Sequence, residues 1–166
     1  NIVSKFPCRV FSSATSSMPE TIELDACAVE CLSLQRTHIA KGEITPETVT
    51  ADIMSDYASI ASYLPRGMTK WVDVGCGLGL VDIVIHRRLA SKDGAKMYLV
   101  DRSGIERGRR LVGYGAAGDF GFYNDFEASR RLFGLNGVPP ECYRHVEAPA
   151  FPDDTVDLVL SRISWC

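Results

Sequence analysis

The chain has 166 residues, of which 46% are hydrophobic and 23% charged, and its formal net charge is −3 at pH 7. These values are typical of a single globular domain, and the slight negative charge argues against a general nucleic-acid-binding protein. No apolar run is long enough to span a membrane, so the sequence predicts no membrane partner.

The six cysteines are spread along the chain without a Cys-x-x-Cys pair. This spacing predicts reduced thiols and a cytoplasmic location, with neither a disulfide framework nor a metal site. Residues 1–18 contain no acidic residue and are predicted to form a flexible N-terminal segment. Their serine-rich composition also resembles the end of an organelle transit peptide, which leaves an organellar location as the alternative.

Two helices are predicted before the first strand, and together they form an N-terminal helical cap over residues 19–66. The first helix covers residues 19–40, with Ser17 as its N-cap. The second begins after Thr45, a favoured N-cap residue, with Pro46 in its first turn. Its apolar face is formed by side chains at helical spacing, namely Val49, Ile53, Tyr57, Ile60 and Leu64.

A strand followed by a glycine-rich turn opens the second predicted domain, which covers residues 67–166. The strand is predicted over residues 71–74. The glycines of the turn alternate along the chain, at Gly75, Gly77 and Gly79. A strand, a glycine-rich turn and a helix together build a nucleotide pocket in parallel α/β proteins, because glycine lets a ligand approach the main chain and the helix start offers N–H groups.

The next predicted elements are a helix over residues 80–90 and a strand over residues 97–100. The helix prediction rests on the glycine turn before it, because its valines and isoleucines by themselves favour a strand. Asp101 stands at the end of the second strand. An acid there accepts hydrogen bonds from the ribose hydroxyls of an adenosine, which indicates an adenosine-containing cofactor without choosing among such cofactors.

Residues 102–123 are predicted to be an insertion that is mobile or folds over a ligand. They contain a cluster of arginines, followed by glycines that alternate with aromatic residues. This composition is too rich in glycine for a helix, and the segment is too long for a minimal connection. Arginines and aromatics together stack on bases, so nucleic-acid binding stays an alternative, which the acidic chain disfavours.

The remaining elements are one helix and two strands. The helix is predicted over residues 125–133, with Asn124 as its cap. The third and fourth strands are predicted over residues 142–146 and 156–161. Glu147 directly follows the third strand.

Three separated motifs give this chain a resemblance to the class I S-adenosylmethionine (SAM)-dependent methyltransferases. The first is the acid-x-Gly-x-Gly-x-Gly pattern that starts at Asp73. The second is the helix that ends in Asn-Gly-Val at residues 136–138, and the third is the Glu-Ala-Pro-Ala-Phe-Pro-Asp-Asp-Thr-Val-Asp-Leu-Val-Leu-Ser string of residues 147–161. The resemblance covers residues 71–161 apart from the insertion.

The resemblance implies a Rossmann-like methyltransferase sandwich of three layers, with a mostly parallel sheet and SAM bound across the carboxyl ends of its strands. It implies methyl transfer to a small-molecule acceptor, with S-adenosylhomocysteine as the product. No catalytic base is assigned, because proximity and alignment carry most of such a transfer.

The resemblance also implies roles for single residues. Asp73 holds the loop and the amino-acid end of SAM, Asp101 binds the ribose, and Glu147 accepts from the adenine amino group, where the family usually has Asp. The full set of implied cofactor-binding residues is Asp73, Gly75, Cys76, Gly77, Gly79, Asp101, Arg102, Glu147, Ala148 and Ser161. Arg162 and Trp165 are implied to face the acceptor.

Two departures from the family pattern qualify this resemblance. The fourth strand is followed by Ser-Arg-Ile-Ser-Trp at residues 161–165, where the amino-methylating DNA enzymes carry Asn/Asp-Pro-Pro-aromatic. Only four of the family's seven strands are found, which predicts a truncated C-terminal part and a fourth strand at an open edge. We expect a fragment, or a sheet completed by a missing segment or by a second copy in a homo-oligomer.

Two further functions stay open. The missing strands favour a non-catalytic, methyltransferase-like module for binding or assembly. The strand-end Asp101 is equally suited to an NAD(P)-dependent oxidoreductase, although the glycine spacing disfavours it.

Overall fold

The computed structural model describes residues 21–35, 43–89, 94–101, 104–105, 123–147 and 156–161. Within these ranges the chain forms an α/β structure with four α-helices and a four-stranded, all-parallel sheet. The helices are α1 (Ala26–Gln35), α2 (Pro46–Ile60), α3 (Leu80–Arg88) and α4 (Phe126–Leu135). The strands are β1 (Lys70–Val74), β2 (Lys96–Val100), β3 (Gly104–Ile105), β4 (Tyr123–Asn124), β5 (Tyr143–Val146) and β6 (Leu158–Leu160).

The parallel sheet has the strand order β5-β2-β1-β6. The chain moves outward from β1 through β2 to β5 and then returns to the other side of β1. The strand order therefore reverses between the neighbouring strands β1 and β6, and open α/β sheets bind ligands where the strand order reverses. The predicted α/β class is confirmed, and the sheet is compatible with a Rossmann-like fold.

The main hydrophobic core lies between the helices and one face of the sheet. Trp71 and Leu99 lie on this face, are fully buried, and join apolar side chains of all four helices. On the opposite face, Val72 and Val100 are buried outside this core, whereas Val159 of β6 is 62% exposed.

Helix α2 begins as the sequence predicts. Thr45 Oγ1 accepts from the Thr48 N–H at 3.2 Å, and Thr48 Oγ1 accepts from the Thr45 N–H at 3.0 Å. This reciprocal capping satisfies two N–H groups at the start of the helix. The predicted apolar face is buried at Val49, Ile53 and Tyr57, and a 3-10 turn over Ala61–Tyr63 follows the helix.

The prediction that the first helix starts at residue 19 is wrong. The helix begins at Ala26, and Asp25 Oδ1 caps it by accepting from the Ala28 N–H at 2.7 Å. The predicted cap, Ser17, lies outside the described residues. Tertiary hydrogen bonds keep residues 21–25 out of the helix, since the Ile22 N–H donates to Thr50 Oγ1 at 2.7 Å.

Asn136 fastens residues 21–25 to the helical layer. Its Oδ1 accepts from the Glu23 N–H at 3.0 Å, and its Nδ2 donates to the Glu23 carbonyl at 2.8 Å. Arg87 of α3 donates to Asn136 Oδ1 at 2.9 Å and to the Thr21 carbonyl at 3.3 Å. The segment is therefore bound to both α3 and the end of α4.

The predicted bounds of three elements after residue 101 need correction. The helix cap is Asp125, whose Oδ1 accepts from the Glu127 N–H at 2.9 Å, because Asn124 belongs to β4. Strand β5 starts one residue late, since Cys142 ends a 3-10 turn over Pro140–Cys142, and β6 is shorter than its predicted range.

Strands β3 and β4 form an antiparallel pair at the two ends of the predicted insertion. Gly104 pairs with Asn124 and Ile105 with Tyr123, so the two ends of the predicted insertion lie side by side. Most of the insertion, residues 106–122, lies outside the described residues.

Asp157 anchors the amino ends of β1 and β6 to each other. Its Oδ2 accepts from the Thr69 N–H at 2.7 Å, from Thr69 Oγ1 at 3.1 Å and from the Lys70 N–H at 2.9 Å. These hydrogen bonds favour the carboxylate and hold the pKa of Asp157 below its usual value. At the amino end of the sheet, the Asp157 carboxylate and the N–H groups of Thr69 and Lys70 are therefore all hydrogen-bonded.

Candidate functional site

The glycine loop, residues 75–79, connects β1 to α3 at the carboxyl end of the sheet. Gly75, Gly77 and Gly79 have φ angles of +78°, +56° and +73°, a region that other residues rarely adopt. The N–H groups of Gly75 and Cys76 both donate to the Val100 carbonyl, at 2.7 and 3.3 Å. The three glycines therefore fix a tight turn beside the end of β2.

Asp101 lies against this loop. Its Oδ2 accepts from the Gly77 N–H at 2.8 Å, and its own N–H donates to the Val146 carbonyl of β5 at 3.2 Å. The acid at the end of β2 and the glycine loop are therefore in direct contact at the carboxyl edge of the sheet.

Ser161 and Glu147 extend the site along the same edge of the sheet. Ser161 Oγ donates to the Val74 carbonyl at 2.9 Å and so links the carboxyl ends of β6 and β1. Glu147 directly follows β5 and is exposed, with β2 between β5 and β1. The predicted residues that the structure brings together at this edge are Asp73, Gly75, Cys76, Gly77, Gly79, Asp101 and Ser161.

The surroundings of the glycine loop are acidic. Burial, together with the negative charges of Asp82, Asp73 and Asp101, raises the pKa of Cys76 far above its usual range. Its thiol donates to the Gly77 carbonyl at 3.4 Å. Cys76 therefore stays protonated and is unsuited to thiolate chemistry.

Asp82 is a site residue that the sequence did not reveal. It is fully buried in the first turn of α3, and Trp71 Nε1 donates to its Oδ1 at 2.8 Å. Burial raises the pKa of Asp82 to about 6. In the sequence Asp82 is only an acid in the first turn of a helix, where such residues are common, and nothing there indicates its burial.

Helix α4 supports the glycine loop from behind. Ser129, fully buried, donates its hydroxyl to the Leu78 carbonyl at 3.0 Å. A Cβ atom on Gly79 would lie 2.7 Å from two ring atoms of Phe133. The loop conformation therefore depends on α4 as well as on its own glycines.

His145 of β5 completes this support. Because the Ser129 hydroxyl donates to the loop, it accepts from His145 Nε2, which lies 2.9 Å away. The imidazole packs on Phe126, with ring centroids 4.6 Å apart, and burial lowers the pKa of His145 to about 4. His145 is therefore neutral near pH 7 and acts as a structural donor rather than as a general base.

Four predicted site residues, Arg102, Ala148, Arg162 and Trp165, lie outside the described residues. In the described part of the chain, no group of three or more His, Cys, Asp or Glu side chains is arranged to hold a metal ion. None of the described helices is long and apolar enough to cross a membrane.

Comparisons of this chain with protein-family models, with curated protein sequences and with solved structures found no match.

Proposed function

We propose that this chain binds SAM at the glycine loop, along the carboxyl edge of the sheet, and belongs to an enzyme that transfers its methyl group to a small-molecule acceptor. The hydrogen bond between Asp101 Oδ2 and the Gly77 N–H carries this proposal. It joins a strand-end acid, which suits ribose hydroxyls, to a loop whose backbone a ligand can approach closely.

The cofactor lies along the carboxyl ends of three neighbouring strands in this proposal. Its ribose is bound by Asp101 after β2, and its adenine amino group by Glu147 after β5. Its methionine end lies over the glycine loop, within reach of the Asp73 carboxylate. The order β5-β2-β1 supplies these groups in the sequence that an extended adenosyl-methionine requires.

The negative charge around the glycine loop favours SAM over a nicotinamide dinucleotide. SAM carries a positive sulfonium and a positive ammonium group, whereas NAD places an anionic pyrophosphate at the glycine turn. The carboxylates of Asp73, Asp82 and Asp101 lie close enough to the loop to raise the pKa of Cys76. Such a cluster attracts a cationic ligand and repels a pyrophosphate.

The residues of this chain bind and orient in the proposed reaction. SAM supplies an electrophilic methyl group on its sulfonium when it is bound. Asp101 and the loop set the position of the cofactor, and the rigid support of the loop by Ser129 and Phe133 preserves that position. Alignment of the methyl group with an acceptor lowers the barrier by avoiding the entropic cost of bringing two reactants together.

Calorimetric titration with S-adenosylhomocysteine, and with NAD in parallel, tests the proposal. We expect saturable binding of the first ligand and at least tenfold weaker binding of NAD. Asp101→Asn keeps an oxygen that accepts from the Gly77 N–H but removes the charge, so we expect about a tenfold loss of affinity.

The matched control is Asp52→Asn, the same chemical change at an exposed position of α2. It should leave the affinity unchanged. Preferential binding of NAD would instead support the oxidoreductase, and the absence of binding to the folded chain would overturn the proposal. Binding of S-adenosylhomocysteine by a chain that shows no methyl transfer across an acceptor panel would point to the non-catalytic module.

A further inference from the structure

We propose that Asp73 and Asp82 share a single proton beneath the glycine loop, and that a cationic ligand group entering the loop displaces this proton into solvent. The inference deepens the proposed function and rests on it, because the ligand group in question is the ammonium of SAM. It makes cofactor binding at this site dependent on pH.

The fold brings the two carboxyls together. Trp71 and Asp73 are two residues apart on β1, so their side chains lie on the same face of the sheet, the one that packs against α3. Trp71 Nε1 donates to Asp82 Oδ1 at 2.8 Å, which holds Asp82 against the face of β1 that carries Asp73. A side-chain hydrogen bond with Asp73 partly offsets the effect of burial on the pKa of Asp82. Asp82 is fully buried and Asp73 is 3% exposed.

This contact requires a proton. Two carboxylates repel each other at hydrogen-bond distance, and only a carboxyl group paired with a carboxylate is attractive there. Oδ1 of Asp73 and Oδ2 of Asp82 are both shielded from solvent. Besides Trp71 and Asp73, the backbone N–H of Asp82 itself stabilises this carboxylate. Within the described ranges Oδ2 of Asp82 has no hydrogen-bond donor of its own, and we assign to it the proton that the pair shares.

The pair lies directly under the proposed cofactor site. Oδ2 of Asp82 is 3.7 Å from the position that a Cβ atom on Gly79 would occupy. Gly79 is the N-cap of α3, with an αL backbone and no side-chain capping bond. A positive group above the loop therefore acts on the pair across one layer of backbone.

The other titratable groups around the pair are not the source of the released proton. Cys76 in the loop stays a thiol, and Asp101 contributes negative charge from the end of β2. On the side of α4 and β5, His145 is neutral and donates to Ser129. On the side of α2, Tyr57 lies against Arg88, and the basic residues of α3 are all in its last turn, at His86, Arg87 and Arg88.

The exchange balances in charge and atoms. Before binding, the pair holds one proton and one negative charge. The arriving ammonium favours the state with two carboxylates by Coulomb attraction, so the O–H bond of the pair breaks and the proton passes to the buffer. Affinity then rises with pH, by up to tenfold per pH unit below the midpoint of the pair.

Proton release is measured by titrating S-adenosylhomocysteine in two buffers of different ionisation enthalpy at about pH 5 and 6, where the ligand itself does not titrate. We expect release of close to one proton per bound ligand at the lower pH. The matched ligand, 5′-methylthioadenosine, lacks the amino-acid part and should bind without proton release. Equal release with both ligands, or none with either, overturns the inference and leaves the proposed function intact.

Asp82→Asn is the matched variant, because its amide still accepts from Trp71 through Oδ1 and donates to Asp73 as the protonated acid does. We expect S-adenosylhomocysteine to bind this variant without proton release. Its affinity should not change with pH between about pH 5 and 7. Asp52→Asn should behave as the wild type. Should Asp82→Asn fail to fold, the two ligands on the wild-type chain still decide.

The shared proton has a test without ligand. In the ¹⁵N-labelled chain, the indole N–H resonance of Trp71, assigned with Trp165→Phe, should titrate above the usual range of an aspartic acid and should not titrate in Asp82→Asn. A Trp71 resonance that stays constant from about pH 4 to 7.5 overturns the shared proton. The absence of any ligand binding overturns the proposed function and the ligand coupling together, whatever the indole shows.

Discussion

At the two ends of the parallel sheet, an aspartate has its pKa shifted in opposite directions. At the amino end, Asp157 is exposed and accepts three hydrogen bonds, and these lower its pKa. At the carboxyl end, Asp82 is fully buried and burial raises its pKa. The first carboxylate is stabilised by its hydrogen bonds and joins the neighbouring strands, whereas the charged form of the second is destabilised by burial. In the proposed function, this difference makes the carboxyl end of the sheet the one that binds a cationic ligand.

Glycine substitutions should give the largest difference between the two ends in stability and ligand binding. Gly79→Ala places a left-handed backbone on a residue with a Cβ atom, and that atom meets Phe133 at 2.7 Å. We expect a loss of about 2–5 kcal/mol in unfolding free energy, together with loss of ligand binding. Urea unfolding and calorimetry provide the measurements.

The control is Gly67→Ala, at the amino end before β1. Its φ of +69° is close to that of Gly79, but nothing lies within 4 Å of the added Cβ. We expect a cost of about 1 kcal/mol from the backbone alone and unchanged binding. Equal costs for the two variants would mean that α4 does not support the loop.

The pH dependence of stability is the next test. Because the folded pKa of Asp82 lies above its unfolded value of 3.8, its contribution is complete below that value and is lost as pH rises through about 6. His145, with a folded pKa of about 4, acts in the opposite direction, since its contribution is lost as pH falls from 6.5.

Asp82→Asn removes only the first of these contributions. Relative to the wild type, its unfolding free energy should therefore rise by about 2 kcal/mol between pH 4 and 6.5, as measured by urea unfolding at several pH values. Asp52→Asn should give a difference from the wild type that does not vary with pH. A constant difference for Asp82→Asn would show that Asp82 does not titrate in this range.

Ser161→Ala should have a smaller effect at the same end of the sheet. It removes the hydroxyl that joins the ends of β6 and β1 through the Val74 carbonyl. We expect a loss of about 1 kcal/mol in unfolding free energy and about a threefold loss of ligand affinity. In Ser59→Ala, which removes an exposed hydroxyl from α2, both changes should be negligible.

Asp157→Asn should have the smallest effect on the site. We expect unchanged ligand affinity and a modest fall in Tm at pH 7, because the variant loses charge-assisted bonds to Thr69 and Lys70. The advantage of the wild type should disappear as pH falls below the usual aspartate range, since the carboxylate form is the one that these bonds favour. A change in affinity would show that the two ends are coupled.

The elements that were predicted correctly are those whose conformation is determined by residues nearby in the sequence. Thr45 and Pro46 start α2 as expected, and α3 is a helix in spite of its valines and isoleucines, because the glycine turn leads into it. Asp101 meets the loop because strand ends share an edge in a parallel sheet.

Contacts between distant segments account for what the sequence did not predict. Residues 21–25 are held by Thr50 and Asn136, which no local pattern reveals, so the helix start was wrong. Asp82 and the Ser129–His145 support have the same origin, since their partners come from other elements. Such pairings become visible only when the packing of the elements is known.

The bonds between Glu23 and Asn136 also bear on the order in which the chain folds. They join residues 113 positions apart, so the loop that they close is among the longest that the described residues show. Closing so long a loop is entropically costly, and such contacts generally form late. During synthesis, the bonds between Glu23 and Asn136 can form only after the ribosome has passed position 136. The first described segment of the chain is therefore among the last to dock completely.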